Sequence, residues 1–440
     1  MKKIVNNIYV FLALLVVTTA CDVQEFDDLN GPEVTGFEQG ITRGDLQDLV
    51  GGIFYSTRDR LGTYLDDCGV LGREYWRFSS SDPRFTGDLL GGGNAVLDNN
   101  TFYITGPWGS RYRTVKNANL ILGFLDNAVG TGEFSDAEIS ATRGFLRTFI
   151  AYELLLNLNL TDEGGIRLDV VDEDNLGPFV SKTEALQGIR SMLEQAITDL
   201  NQGSDFPFPL TGGFTGFDTP DTFVQATNAI AARVAAYQND SSGVLTFLNN
   251  SFLNLNVGDL NTGIYHVFGA DPTDFLNPMF FPITATTAGA RVMQPSFLTD
   301  GETGDIRLNK VQQRSEPLTL DDLTGDYLVF LYNSNIDPIA IIRNEELILL
   351  YAEANITVNP IEAVNALNIV RNSASLGDYM GATDEASLVD EMLNQRRYSL
   401  YAEGHRWVDM RRYGRLNELP IDRPEDDVFS QFPIPLTENQ

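Results

Sequence analysis

Residues 73–85 read Arg-Glu-Tyr-Trp-Arg-Phe-Ser-Ser-Ser-Asp-Pro-Arg-Phe. Two adjacent rings, Tyr75 and Trp76, stand beside Arg77, Asp82 and Arg84. That combination suits a saccharide. A sugar ring has an apolar C–H face and a hydroxyl-lined edge. Its site therefore needs a flat aromatic platform with carboxylate, amide or guanidinium groups at the rim. The spacing predicts Tyr75, Trp76, Arg77, Asp82 and Arg84 as ligand contacts. Asn277, Phe280, Tyr332 and Asn333 offer similar groups in a second loop-rich region and are expected to add contacts. The competing reading packs Trp76 and Phe78 beneath the loop.

A second block breaks the charge pattern of its own chain. The sequence has 61 acidic and 30 basic residues, a formal net charge of -31. Between Arg396 and Arg415, however, arginine occupies positions 396, 397, 406, 411, 412 and 415, against only Glu403 and Asp409. The block reads either as an anion site or as an internal ion-pair corner. The second reading pairs Arg396, Arg397 and Arg406 with acids of neighbouring helices, including Glu345, Glu346 and Glu353. Guanidinium groups suit such partly buried, bidentate pairs. Gly404 then permits close approach, Trp407 fills volume, and His405 is a hydrogen-bonded core residue rather than a base.

The composition narrows the function classes. So acidic a surface repels phosphates, which argues against nucleic-acid binding. With only His266 and His405, most zinc sites and a Ser-His-Asp triad are disfavoured. No phosphate-binding or dinucleotide glycine signature occurs, and no loop has calcium-ligand spacing. These features single out no catalytic residue, no cofactor and no metal. A carboxylate pair of a surface glycoside hydrolase stays open as an alternative, because so many acids are present.

The chain begins with Lys2, Lys3 and an apolar run from Ile8 to Val17, too short to span a bilayer as a mature helix. Thr18, Thr19 and Ala20 precede Cys21. This resembles a lipoprotein leader over residues 1–20, with lipidation of Cys21 and an acidic tether over 21–37. The acidic start after Cys21 resembles a surface-export signal. Membrane contact is then through the lipid anchor only. With Cys21 lipidated, Cys68 has no partner for an intrachain disulfide.

The elements that must position these residues are mainly helical. Apolar periodicity predicts helices over 38–60, 112–128, 137–158, 183–200, 226–237 and 344–356, and a final pair within 388–412. Asn359-Pro360 is a helix start, with a capping side chain before proline at the first position. Residues 62–93 have no single period and read as an irregular surface segment. Residues 252–330 read as loops with short strands. The fold class is thus mainly α: tetratricopeptide-like helical pairs with a loop-rich insert containing short strands. One domain over 38–440 is expected. Its scaffold occupies about 38–60, 108–250 and 340–415, and its ligand-side loops about 62–93 and 252–335.

Several ordered motifs resemble one family. Trp108 through Tyr112 with Asn117 and Asn119, and Arg143 through Arg147 with Tyr152, resemble its early helices. Gly165-Ile-Arg167-Leu168 resembles a turn of the family without its usual proline, and Asp305-Ile-Arg307 a short D-x-R element. Arg343 through Ala354, Glu403-Gly-His-Arg-Trp407 with Asp409 and Arg411-Arg412, and Phe432-Pro-Ile-Pro435 complete the set. Together they resemble the SusD/RagB family of outer-membrane nutrient-binding lipoproteins. The resemblance implies a cell-surface, lipid-anchored, non-catalytic protein. It would capture a glycan and deliver it to a SusC-like TonB-dependent transporter. Its peptide-binding RagB-type branch is the alternative.

Overall fold

Helix starts are set by local chemistry. Thr42 accepts the N–H of Asp45, and the Asp45 carboxylate accepts the N–H of Thr42, which fixes the start of α1 (Arg43–Ser56). Ser135 with Glu138 and Ser181 with Glu184 form the same reciprocal boxes. Each satisfies backbone donors that the first helical turn leaves free. The computed structural model describes residues 37, 40–93 and 95–439. The leader over 1–20, Cys21 and the acidic stretch to residue 36 lie outside the described residues.

After α1 come α2 (Leu61–Leu71), β1 (Tyr75–Arg77), α3 (Phe102–Ala128) and α4 (Asp136–Thr161). The short strands β2 (Ile166–Arg167) and β3 (Phe179–Val180) lead to α5 (Lys182–Gln202), α6 (Pro220–Tyr237) and α7 (Ser241–Asn249). The insert holds β4 (Gly263–His266), β5 (Arg291–Met293), the one-turn α8 (Ser296–Thr299), β6 (Val311–Leu320), β7 (Leu323–Val329) and β8 (Ile339–Arg343). The chain closes with α9 (Asn344–Val358), α10 (Pro360–Ser373), α11 (Glu385–Ser399) and α12 (Arg406–Arg412). The architecture is mainly α, as the periodicity predicts.

Consecutive helices pack in series: α3 on α4, α4 on α5, α5 on α6 and α6 on α7, with α9 on α10 and α11. Small residues allow this. A Cβ on Gly144 of α4 would stand 2.6 Å from Leu200 Cγ and 2.8 Å from the Ala196 carbonyl of α5. In α6 the alanines at 226, 229, 231, 232, 235 and 236 are all buried. Phenylalanine fills the space beneath them. The Phe145 ring lies 4.9 Å from Phe149, 5.2 Å from Phe223 and 5.5 Å from Phe54, edge-on or tilted. In the insert, an antiparallel sheet runs in the order β1-β5-β7-β6, and β4 pairs with β8. No helix among the described residues is long and apolar enough to cross a membrane.

Three expectations need correction. Residues 62–93 are not irregular throughout: α2 and β1 lie within them. The α2 sequence, Leu-Gly-Thr-Tyr-Leu-Asp-Asp-Cys-Gly-Val-Leu, has weak helical propensity, but every residue except Thr63 is buried. Tertiary packing thus overrides propensity. The helix expected over 38–60 runs, among the described residues, from Arg43 to Ser56, and α3 begins at Phe102, earlier than the pattern indicates. The arginine corner is internally paired, but with different acids. Arg396 bonds Asp409 at 2.7 Å, Arg397 pairs with Asp300 at 3.0 Å, and Arg406 has no carboxylate partner among the described residues. Glu353 engages Arg412 and Tyr413, Glu345 engages Arg343, and Glu346 is taken by Arg233 of α6. His405 is largely enclosed and lies 3.9 Å from Glu346. Gly404 (φ +83) sits where a Cβ would press Leu65 and Tyr64, and the buried Trp407 donates to the Phe429 carbonyl.

The Arg233–Glu346 pair is bidentate, with both bonds at 2.6 Å. Burial opposes the Glu346 charge, but Arg233 overcomes it and holds the carboxyl at about 2. Glu346→Ala is expected to destabilise the fold by about 3–5 kcal/mol, because it strands a buried guanidinium. Urea unfolding at neutral pH measures this. Glu74 has the opposite sign. Burial raises its carboxyl to about 8, and its Oε2 has no partner. The folded chain therefore keeps a proton that the unfolded chain has lost above the ordinary carboxylate range. That contribution is complete at low pH and disappears as pH rises through the folded value of about 8. Glu74→Gln is expected to flatten the fall in stability between about pH 5 and pH 8, read from paired urea titrations.

Candidate functional site

The sheet of the insert brings two arginines face to face. Arg77 on β1 is the register partner of Arg291 on β5. Like charges opposed across a sheet repel, so this pairing needs a shared counter-ion. Asp66 on α2 is that ion. Arg291 donates to it through Nε at 2.6 Å and through Nη2 at 2.9 Å, and Arg77 Nε lies 3.3 Å away. The Tyr75 hydroxyl sits 3.2 Å from the same carboxylate and donates to the Leu65 carbonyl at 3.0 Å. Burial, reinforced by the Asp66 charge, raises that hydroxyl well above the usual phenol value.

Aromatic rings are laid over this charge cluster. Phe281 covers both guanidinium groups, 5.3 Å from Arg77 and 4.7 Å from Arg291. Arg77 also lies 5.1 Å from the Phe85 ring, and Phe85 packs on Phe102 at 4.8 Å. Arg84 stands 4.8 Å over Phe102. It forms a bidentate pair with Asp82 at 2.8 and 2.7 Å, and these bonds lower the Asp82 carboxyl. Asp82 also caps the short turn at Pro83–Phe85 by accepting from the Arg84 backbone. Phe85, Phe102 and Phe281 are half-buried, whereas Arg84 is exposed. The result is a continuous aromatic and guanidinium surface, fixed from beneath by Asp66. It offers stacking faces and charged hydrogen-bonding groups. No nucleophile with an adjacent base lies among these residues.

The sequence-predicted residues separate into three groups. Arg77, Asp82 and Arg84 join this surface. Tyr75 and Trp76 do not, which corrects their assignment as an open platform. Tyr75 is fully buried and Trp76 is 4% exposed. The Trp76 Nε1–H donates to Asp422 at 2.7 Å, and its ring stacks parallel to Phe78 at 6.3 Å. Strand alternation turns the two rings to opposite faces of β1, and both faces are covered. The third group lies on the loops beside the sheet. Asn277 is buried and acts as a staple: its side chain donates to the Asp337 carbonyl at 2.7 Å and accepts from the Met279 N–H at 2.8 Å. Phe280 and Tyr332 are half-buried and Asn333 is exposed. The Asn333 N–H donates to Asp337 at 2.7 Å.

Sequence reasoning missed Asp66, Phe102, Phe281 and Arg291. Phe281 follows Phe280 in an apolar run, and nothing local tells which of the two faces the arginines. Arg291 becomes visible only once its strand is paired with β1.

These features define a class: a helical scaffold of tetratricopeptide-like pairs, carrying a stacking surface on and beside an irregular insert. The sequence profile of the SusD family matches residues 332–435. The SusD-like protein P38 of Formosa agariphila is 29% identical over 205 residues, which span 38% of this chain and 40% of that protein. Surface glycan-binding protein A from Bacteroides thetaiotaomicron, solved in complex with laminarihexaose, has the same fold. Its TM-score is 0.67 at 14% identity, covering 91% of this chain and 97% of that one. A SusD superfamily protein from Bacteroides vulgatus gives 0.66 at 15% identity, covering 90% and 96%. Residues 332–435 thus carry the likeness to the SusD family, and the fold is the one these solved proteins share.

Trp76→Phe tests the reassignment of that ring. It keeps the stacking on Phe78 and removes the bond to Asp422. The expected cost is about 1–3 kcal/mol of stability, from the Asp422 oxygen left without its donor while Gln294 still holds the other. Ligand affinity is expected to stay unchanged, as measured by calorimetry on the folded variant.

Proposed function

We propose that this protein is a non-catalytic, glycan-binding lipoprotein of the outer-membrane surface that hands saccharide to a SusC-like TonB-dependent transporter. One observation carries the binding part. Phe85, Phe102 and Phe281 form a half-buried aromatic surface edged by Arg77 and the Arg84–Asp82 pair. Sugar C–H faces stack on such rings, and the charged edges accept and donate to hydroxyls. Asp66 holds Arg77 in place, so little side-chain entropy is lost on binding. The neighbouring loops, with Phe280, Tyr332 and Asn333, extend the surface. Support for the ligand class comes from the fold shared with a protein solved with laminarihexaose. Support for lipid anchoring at Cys21 and for the transporter comes from the match of residues 332–435 to the SusD family and from the leader-like start.

Titration of the chain with laminarihexaose and a panel of other oligosaccharides tests this reading. Binding of at least one saccharide is expected. The double change Phe85→Ala with Phe281→Ala is expected to weaken it by about tenfold to a hundredfold, the loss of two stacking contacts. Binding of peptides and of no saccharide would replace the reading with RagB-type peptide uptake. Release of shorter products from a polysaccharide, abolished by one Asp or Glu change, would replace it with a hydrolase.

A further inference from the structure

Arg406 is the exception among the basic side chains of the described residues. Every other lysine or arginine has a hydrogen bond or ion pair, whereas Arg406 has neither and feels only the charges around it. It lines a cavity of about 560 Å³ together with Arg397, Arg415, Asn394, Asp390 and Glu418. The cavity lies among α11, α12 and the turn that follows α12. The other charges there are already matched. Arg397 is held by Asp300 at 3.0 Å and by Ser296 at 2.7 Å. Arg415 is held by Asp390, and Glu418 lies 3.8 Å away. Both acids of the cavity thus face Arg415, and one positive charge is left over.

That leftover charge is costly where it stands. Burial, and then the neighbouring Arg397, lower the Arg406 guanidinium to about 10. The acid whose charge acts on it most strongly offers little relief. Glu74 borders a smaller adjoining cavity that Arg406 also lines, but burial raises its carboxyl to about 8, so it is largely neutral at pH 7. Its unpartnered Oε2 faces no donor of the protein. A guanidinium without acceptors, at the wall of an open cavity in an otherwise acidic chain, is suited to a ligand that supplies the acceptors.

We propose that this cavity binds one oxyanion, a carboxylate or a sulfate ester, on Arg406, with Arg397 and Arg415 flanking it. The group comes either as a free small anion or as a substituent on a sugar. The site is separate from the aromatic surface around Phe281 and does not rest on it.

Calorimetric titration of the chain at constant ionic strength, with sodium sulfate, sodium glucuronate and glucose, tests the proposal. Saturable binding of sulfate or glucuronate is expected, with none for glucose. Sulfate binding as tightly as glucuronate assigns the site to free anions. Tighter glucuronate assigns it to an acidic sugar. Arg406→Gln is expected to weaken binding by about tenfold or more, the loss of a charge-assisted pair of bonds. Phe85→Ala with Phe281→Ala is expected to leave it unchanged, so failure of the saccharide reading and failure of this one are distinguishable. The proposal is overturned if neither anion binds, or if Arg406→Gln binds like the wild type. Should Arg406→Gln not fold, phenylglyoxal labelling of the wild type gives the same answer. Arg406 is expected to be labelled and to be protected by the bound anion, and labelling unaffected by either anion rejects the site.

Discussion

The structure depends on guanidinium–carboxylate pairs closed away from water. Arg111 and Glu153 are both fully buried and lie 2.8 Å apart. Arg233 with Glu346, Arg291 with Asp66 and Arg396 with Asp409 are almost as deep. A buried ion without its partner is far more destabilising than a well-packed apolar pair, so each of these contacts admits very few arrangements of the elements that hold it. Arg233 stands on α6 and Glu346 on α9, so the pair ties the first run of helices to the second. Arg343 bonds Glu403 and the Ser399 carbonyl, tying the end of the insert to the corner after α11. The helices could slide along their alanine and glycine faces. The ion pairs set where they stop.

The same constraint builds the aromatic surface of the insert. A strand as short as β1 has few ladder bonds of its own, and its opposed arginines would push it away from β5. Asp66 converts that repulsion into a three-way clamp, and α2 must be buried to bring Asp66 there. This explains why a segment of weak helical propensity is helical. It also explains the depth of Tyr75, whose hydroxyl donates toward the Leu65 carbonyl and the Asp66 carboxylate. The surface rings of Phe281 and Phe85 then rest on guanidinium groups that cannot swing away. Rigidity of this aromatic surface thus comes from charge beneath it rather than from a large apolar core, which lies elsewhere around Phe145 and Phe223.

What the sequence discloses follows from the range of each interaction. Capping boxes at Thr42, Ser135 and Ser181 are decided within four residues, so helix starts there are readable. Pro360 and the corner at Gly404 and Trp407 are readable for the same reason. Ion-pair partners are not. Arg233 and Glu346 are 113 residues apart, and the chain has many acids to choose from. Residue type correctly placed the arginine corner inside the molecule, yet it chose the wrong acids. The aromatic and guanidinium surface shows the same division. Arg77, Asp82 and Arg84 were legible because a compact charged and aromatic segment is visible in one stretch. Trp76 was misplaced because its depth is set by Asp422 and by the sheet, both remote in sequence. Arg291 comes under the surface only through the pairing of β5 with β1, and Phe281 covers it from the loop before β5.

Arg77, Arg291 and Arg406 carry the same group, and only their surroundings give them different roles. Two guanidinium groups share Asp66, so their charge is largely spent, and what remains useful is their flat faces beneath the rings. Arg406 keeps its charge because its neighbours are already committed: Asp300 to Arg397, and Asp390 and Glu418 toward Arg415. A chain with 61 acids could easily have supplied one more carboxylate there. Where an acidic protein leaves a single guanidinium unanswered at a cavity wall, the missing acceptor is most simply supplied by a ligand. Motif and composition cannot separate these two uses of arginine; the pairing pattern can.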